Sequence, residues 1–556
     1  MSGASVDAIV IGAGAGGGIV AAELARAGLR ASLLDRGRNF SAAADADDNE
    51  LTGSQALYNQ TGVQRFGPDA TEFQTFRGDP GTPASKVCAD DYRFSIVGWC
   101  VGGGTVSYQG LSWRFHPQTF RLKSLYGPIA GSTVEDWPIT YDDLEPYYEK
   151  AEYELGICGE ASPVGPPRRK PYPMPPLDDD REAQLLFPAA RRLGWKPFHP
   201  PLAVTSEEYR GRPGCIRCSY CNGFLCCVDS KSSTAVTVIP QALKTGLCAL
   251  HPQTVVREIT VDGRGRPNGV IYRESNGPWK EMQAKVIVVC ASAVETPRLL
   301  LSSQSKWFPT GIGNQYDQVG RHGHQDLSAA VFGYFDKVVG DGQGPGPGCA
   351  VDFQFQDSSV QGGGVLYNGF SRTPMRVINS LPRPQGMKTW GREHKEFYRQ
   401  YFWKHLRMYC GAHGVPRNGN RVDLDPDLKD AFGMRVARVT SRSHKWSAQQ
   451  LEWVQGRAEQ LLKEAGAQFT KRTPVALEPE SPLGQHGLGT CRMGSDPRNS
   501  VVDRTGRVHG VPNVFVADGS LITNSGGCNP CLTIQALAYL VSDNIVREWK
   551  EGGLNG

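Results

Sequence analysis

Short apolar runs rich in β-branched residues open the chain, broken by glycine. Val6-Asp7-Ala8-Ile9-Val10-Ile11 has the composition of a buried strand, Gly12 to Gly18 that of a turn. Ile19 to Ala27 repeats with helical spacing and is closed by Gly28, and Ala31-Ser32-Leu33-Leu34 is a second buried strand ending at Asp35. Strand, turn, helix and strand make a βαβ unit. Further on, Tyr141 to Leu155, Ala235 to Lys244, Ala293 to Leu301 and Trp446 to Ala465 carry helical spacing, and Cys531 to Trp549 predicts a final helix. Residues 248–274 alternate like a hairpin, while Lys285 to Val289 and Val514-Phe515-Val516 read as buried strands. Residues 40–90 are polar and irregular, and predict a long surface excursion. Residues 160–180 are proline-rich and carry Arg168-Arg169-Lys170, which predicts a solvated loop. Residues 325–480 alternate as a sheet-based domain interrupted by a proline/glycine loop at Gly342 to Gly348. No internal repeat or long low-complexity tract occurs.

The two ends of the chain are alike in style and the middle differs. This predicts an α/β fold in which a Rossmann-like dinucleotide domain is assembled from residues 1–40, 85–125, 230–310 and 485–556. Residues 126–229 form a cysteine-rich connecting segment, and 311–484 an inserted substrate-binding domain on a mixed or antiparallel sheet.

Composition narrows the function classes. The 556 residues are 39% hydrophobic and 21% charged with a net charge of +4, too small to point to nucleic acid or an anionic membrane. No run approaches the ~20 apolar residues of a membrane helix. Met1 to Asp7 lacks a basic leader, so a cytoplasmic location is expected, or export alongside a partner that carries a signal. Glycine reaches 66 residues, many in runs suited to loops that approach a ligand closely.

Gly12-Ala13-Gly14-Ala15-Gly16-Gly17 satisfies G-x-G-x-x-G between a strand and a helix. Gly12 makes the turn, Gly14 lets the backbone reach a pyrophosphate, and Gly17 lets helix pack on strand. The helix start offers N–H groups and a positive dipole end to phosphate. Asp35 stands where a carboxylate should accept ribose hydroxyls. The fingerprint does not separate FAD from NAD.

Near the other end stand His486-Gly487-Leu488-Gly489-Thr490-Cys491-Arg492-Met493-Gly494, Val516-Ala517-Asp518-Gly519-Ser520 and Gly527-Cys528-Asn529-Pro530. With Val101-Gly102-Gly103-Gly104, Asp136-Trp137-Pro138-Ile139 and Ala293-Val294-Glu295-Thr296-Pro297-Arg298, this order resembles the glucose–methanol–choline oxidoreductases, in the variant of the gluconate-dehydrogenase and pyranose-oxidase branches. The resemblance implies FAD, and oxidation of a CH–OH group of a sugar, glycoside, sugar acid or similar polyol. It assigns His486 as base and Asn529 as its neighbour, where many relatives have a second histidine. An imidazole suits a base and an amide does not. His509 reads as structural. By the same resemblance Val255 lies over the adenine, Asp518 and Gly519 near the ribityl chain and pyrophosphate, and Pro530 with Asn529 at the flavin edge. Gly102 and Gly103 form the second glycine loop. Ser107 occupies the position at which some relatives attach the flavin through histidine, which implies noncovalent FAD. The substrate wall is expected from residues 325–480, including the aromatics near Trp390 to Trp403. A nicotinamide enzyme and a scaffold with a silent flavin are the competing classes.

Of 15 cysteines, five fall within thirteen positions: Cys215, Cys218, Cys221, Cys226 and Cys227. The first four match a cysteine-rich segment of the gluconate-dehydrogenase branch. Iron–sulfur ligation, zinc, disulfides and plain thiols all stay open at this spacing. An iron–sulfur cluster would pass electrons from flavin to an external acceptor, and the resemblance implies a small subunit and a cytochrome or quinone as partners.

Overall fold

The computed structural model describes residues 4–554 apart from 48, 51–65, 68–70, 90, 92, 96–97 and 370–371. The fold is α/β, with a Rossmann-like sheet at its centre. Its strands run in the order Cys248–His251, Ala31–Leu34, Ala4–Ile11, Lys280–Val289, Pro267–Glu274 and Thr254–Val261. The first four pair in parallel. Strand Lys280–Val289 has two natures. Its first half pairs antiparallel with Pro267–Glu274 and alternates exposed and buried positions; its second half pairs parallel with Val514–Val516 and is buried at every position. Continuous burial is what a parallel strand covered on both faces requires. Thus distant segments of the chain meet in one sheet.

Helix Gly17–Arg26 lies on this sheet and buries eight of its ten residues. Two glycines permit the packing. A Cβ on Gly12, at φ +100°, would stand 2.3 Å from the Cys290 carbonyl oxygen, and one on Gly16 1.9 Å from that of Ala517. Helix Tyr141–Leu155 matches the predicted bounds and starts with a capping box: Thr140 Oγ1 accepts from Asp143 N, and Asp143 Oδ2 accepts from Thr140 N.

The second sheet is antiparallel throughout, in the order Ala350–Asp352, Gly364–Asn368, His405–Ala412, Leu327–Tyr334, Phe469–Arg472. Helix Lys445–Glu464 covers one face of it with Leu451, Val454, Ala458, Leu461 and Leu462, an i, i+3, i+4, i+7 stripe. The other face looks toward the parallel sheet.

Two expectations are corrected. Residues 40–90 are not a mere excursion: Phe73–Arg77 and Ser85–Cys88 form a four-stranded sheet with Arg421–Lys429 and Arg435–Thr440, which the sequence had grouped with the inserted sheet. Phe76 and Val87 are buried against Val422 and Val439, so these strands are held by partners about 350 residues away, invisible to local pattern. Arg168 does not belong to a solvated run. Its guanidinium pairs at 2.9 and 2.6 Å with Glu152, which also holds the buried Arg114 at 2.8 Å. A carboxylate that deep needs such partners.

Candidate active site

A cavity of about 640 Å³ runs from the glycine turn of the first strand to the inner face of the antiparallel sheet. At one end Gly12, Gly14, Ala15 and Gly16 line it at the start of helix Gly17–Arg26. Asp35 closes that end of the wall. Its Oδ2 accepts the Ala13 N–H at 2.7 Å and its Oδ1 the Gly37 N–H at 2.8 Å. Burial pushes the carboxyl up to about 6, against those two hydrogen bonds, which favour the charged form. Each oxygen retains a lone pair for a hydroxyl. Val255 lines the cavity beside Asp35, whose carbonyl oxygen holds the neighbouring Thr254 N–H at 2.7 Å.

Gly103, Gly104 and Ser107 line the middle. A Cβ on Gly103 would come 2.9 Å from Gly14 Cα, so the two glycine loops touch backbone to backbone. Gly17 and Gly102, expected among the cofactor contacts, stand behind the wall. Gly17 packs on the Gly12 carbonyl and the Cys290 side chain, and the Gly102 N–H bonds the Ala13 carbonyl at 2.9 Å. They shape the turns. Gly16, unassigned from the sequence, is on the wall.

Asp518 and Gly519 follow along the wall. Asp518 is buried, and its carboxyl is pushed up by that burial. It accepts from Ser520 N at 2.8 Å, Ser292 N at 2.9 Å and Thr296 Oγ1 at 2.5 Å. Ser292 sits at φ +87° on the cavity wall, a backbone strain that the Asp518 bond holds in place.

At the far end His486, Asn529 and Pro530 meet. His486 lies in the loop after strand Phe469–Arg472, and Asn529 just before helix Cys531–Lys550. His486 Nε2 is 3.3 Å from Asn529 Nδ2. On its other side Nδ1 is 3.2 Å from Oδ2 of Asp326. Asp326 is buried and lines the same cavity. The pair is at ion-pair distance without full hydrogen-bond alignment. Since a carboxylate only accepts, it favours the proton on Nδ1 and leaves the Nε2 lone pair toward Asn529 and the cavity. Ser525 Oγ donates to the other oxygen of Asp326.

Asp326 went unread in the sequence because its partner is set by register. The backbones of His324 and Leu488 pair antiparallel, with N–H to O distances of 3.1 and 2.8 Å. That single bridge brings the two segments together, and two residues further along each the side chains of Asp326 and His486 meet. No local motif announces this. His509 bonds Ser500 Oγ at 2.9 Å on a bridge between Val502 and Val508, a structural role as expected.

The substrate-side wall draws on residues 325–480 as expected, but not on the aromatics near Trp390 to Trp403. Trp390 and Trp403 are 69% and 41% exposed and do not line the cavity. Val365, Tyr367, Tyr409 and Gly411 of the antiparallel sheet do.

The cysteine segment lies beside the cavity wall. Each of the fifteen cysteines is a free thiol, and among the described residues no three His, Cys, Asp or Glu side chains converge as metal ligands. Cys215, Cys218, Cys221 and Cys226 lie close to one another. The sulfurs of Cys215 and Cys226 accept the Arg217 and Lys231 N–H groups at 3.4 and 3.5 Å, and burial pushes the Cys221 thiol up. What ties this loop is Lys231. Its buried ammonium donates to the carbonyls of Tyr108, Cys221 and Phe224 at 3.0, 2.6 and 2.7 Å. The loop's Gly223 N–H then reaches the Ser107 carbonyl at 2.6 Å, so the segment braces the cavity wall.

Comparison with known proteins agrees with this geometry. A family model described as GMC oxidoreductase matches residues 6–325, and a second with the same description matches 416–538. The chain is 32% identical over 552 residues to 6'''-hydroxyparomomycin C oxidase of Streptomyces lividus, covering 96% of this chain and 90% of that protein. It is 29% identical over 561 residues to 2-methyl-1,2-propanediol dehydrogenase of Mycolicibacterium austroafricanum, covering 98% and 96%. A solved formate oxidase superposes with a TM-score of 0.67 at 14% identity, over 99% of this chain and 100% of that one.

Proposed function

The chain belongs to the GMC oxidoreductases, and from that premise we propose that it oxidises a CH–OH group of a polyhydroxylated substrate (a sugar, glycoside, sugar acid or similar polyol) to a carbonyl, using noncovalent FAD. One observation carries the reading: an imidazole with its Nε2 toward the cavity, a buried carboxylate behind it and an amide beside it, at the end of a cavity that starts at a phosphate-type turn.

The residues fit the dinucleotide. Gly12, Gly14 and Gly16 bring bare backbone to the wall, Asp35 keeps lone pairs for ribose hydroxyls, and Gly103 and Gly104 leave the middle open. Ser107 offers no imidazole for a covalent link. When bound, FAD supplies an electrophilic ring nitrogen that takes a hydride from carbon. The protein handles the proton. His486 Nε2 accepts it from the substrate hydroxyl, and the Asp326 carboxylate steadies the imidazolium so formed. The Asn529 amide, 3.3 Å from that nitrogen, holds the oxygen against it. The His486 side chain is 33% exposed, which gives the proton a way to solvent.

His486→Ala tests the assignment. Under nitrogen, the wild type loses its yellow absorbance when given a sugar or polyol it accepts, and the variant does so about 10² to 10⁴ times more slowly with its flavin content intact. Unchanged bleaching in the variant removes His486 from the chemistry. The electron acceptor is read in the same preparation. We place an external carrier first. A relative named as an oxidase supports oxygen as a second reading, and hydrogen peroxide formed in air at the rate of turnover selects it.

A further inference from the structure

The antiparallel sheet faces the His486 end of the cavity with a built surface that the chemistry above does not use. In the register of strands Gly364–Asn368 and His405–Ala412, Val365 stands opposite Gly411 and Tyr367 opposite Tyr409. All four line the cavity. Gly411 abuts the turn that carries Asn529: a Cβ there would be 3.0 Å from the Gly527 carbonyl oxygen. The two tyrosines, one step along the same face, therefore lie next to the reacting end. Their rings stack with centroids 5.5 Å apart and planes 8° from parallel, and Trp113 tilts against Tyr367 at 6.3 Å. Two aromatic neighbours hold the Tyr367 ring.

Its hydroxyl is a different matter. Tyr367 is 4% exposed, but its oxygen is not among the fully enclosed polar atoms: it opens on the cavity and makes no hydrogen bond among the described residues. A hydroxyl that opens on a cavity is left to bond whatever molecule occupies it. Burial above all, then the neighbouring Tyr409, Cys528 and Asp326, oppose its ionisation, so it stays a neutral O–H donor. A fixed ring with a free, neutral donor on the cavity wall is a preorganised contact for an oxygen of a bound molecule.

We infer that Tyr367 is the specificity-determining contact, donating through its hydroxyl to a second hydroxyl of the substrate, so that the enzyme selects alcohols bearing at least two hydroxyl groups. The inference rests on the alcohol-oxidising reading above and extends it. One hydroxyl goes to His486 and Asn529, the other to Tyr367, and C–H groups between them lie along the tyrosine wall.

Tyr367→Phe removes only the oxygen, keeps the stack and spares the base. Turnover of wild type and variant is compared on propylene glycol against propanol, and on glucose against its monodeoxy analogues. In the wild type the second hydroxyl raises kcat/KM at least about tenfold within one of these sets, and in the variant that advantage disappears through a higher KM. Flavin absorbance stays as it was, and kcat/KM on propanol falls far less than on the substrate with two hydroxyls. An advantage that survives in the variant, or an equal loss on the single-hydroxyl alcohol, overturns the inference. So does a wild type with no preference for the second hydroxyl. A wild type whose flavin no alcohol bleaches is a different result, because it defeats the proposed function itself.

Discussion

Asp326 contributes a charge that the reacting hydroxyl never touches. Its carboxylate is buried, one oxygen taken by Ser525 Oγ and the other 3.2 Å from His486 Nδ1. An imidazole flanked in this way gains most when it becomes a cation, which happens as the hydroxyl proton leaves. Asp326→Asn keeps the volume and removes the charge. We expect kcat to fall about 10²-fold with little change in KM and in flavin absorbance, as for an interaction made mainly in the transition state. Steady-state kinetics on an accepted polyol checks this, and an unchanged kcat would show that Asp326 only fills space. Of this pair, His486 was legible because it sits in a family-like glycine run. Asp326 was not, because 160 residues of chain separate it from its partner.

The cysteine-rich loop is held by an element that its spacing does not announce. Spacing alone admitted metal ligands, disulfides or thiols. The folded loop is tied by the Lys231 ammonium, which uses three N–H donors on three backbone carbonyls. Burial pulls its pKa down, yet those acceptors favour the charged form. Lys231→Met leaves the three carbonyls without that donor. Each buried unsatisfied group costs on the order of 1–3 kcal/mol, so a loss of roughly 3–5 kcal/mol or local opening of residues 215–231 is expected. Denaturant unfolding together with hydrogen exchange over that loop measures it. Protection unchanged from wild type would mean that the loop is held by its neighbours instead. Because Gly223 bonds Ser107 on the cavity wall, the same variant should retain flavin less tightly.

Over the molecule as a whole, several histidines are buried without charge. His324 is pushed down to about 4, His405 to about 3 and His413 to about 4, in each case chiefly by burial. A histidine whose folded pKa lies below the unfolded value near 6.5 contributes stability that is present at neutral pH. That stability is lost as pH falls, because the unfolded chain takes up protons that the native state refuses. The window here runs from about 6.5 down to about 3 to 4. We expect unfolding temperature to drop progressively across it, and His413→Gln to lessen the slope. A wild-type profile that stays flat from pH 6.5 to 4 would count against this account.

By itself the sequence determined the βαβ opening, most helix bounds, the glycine turn with Asp35, and the family-like order that points to His486 and Asn529. These rest on short-range regularities: period, turn chemistry and fixed spacing survive in one dimension. Tertiary structure alone decided that Phe73–Arg77 pairs with Arg435–Thr440, that Asp326 stands behind His486, that Tyr367 faces the cavity and Trp390 does not, and that Lys231 holds the cysteine loop. Each of those depends on strand register or on contacts between residues far apart in the chain, and a buried polar group acquires its partner only once the chain has folded.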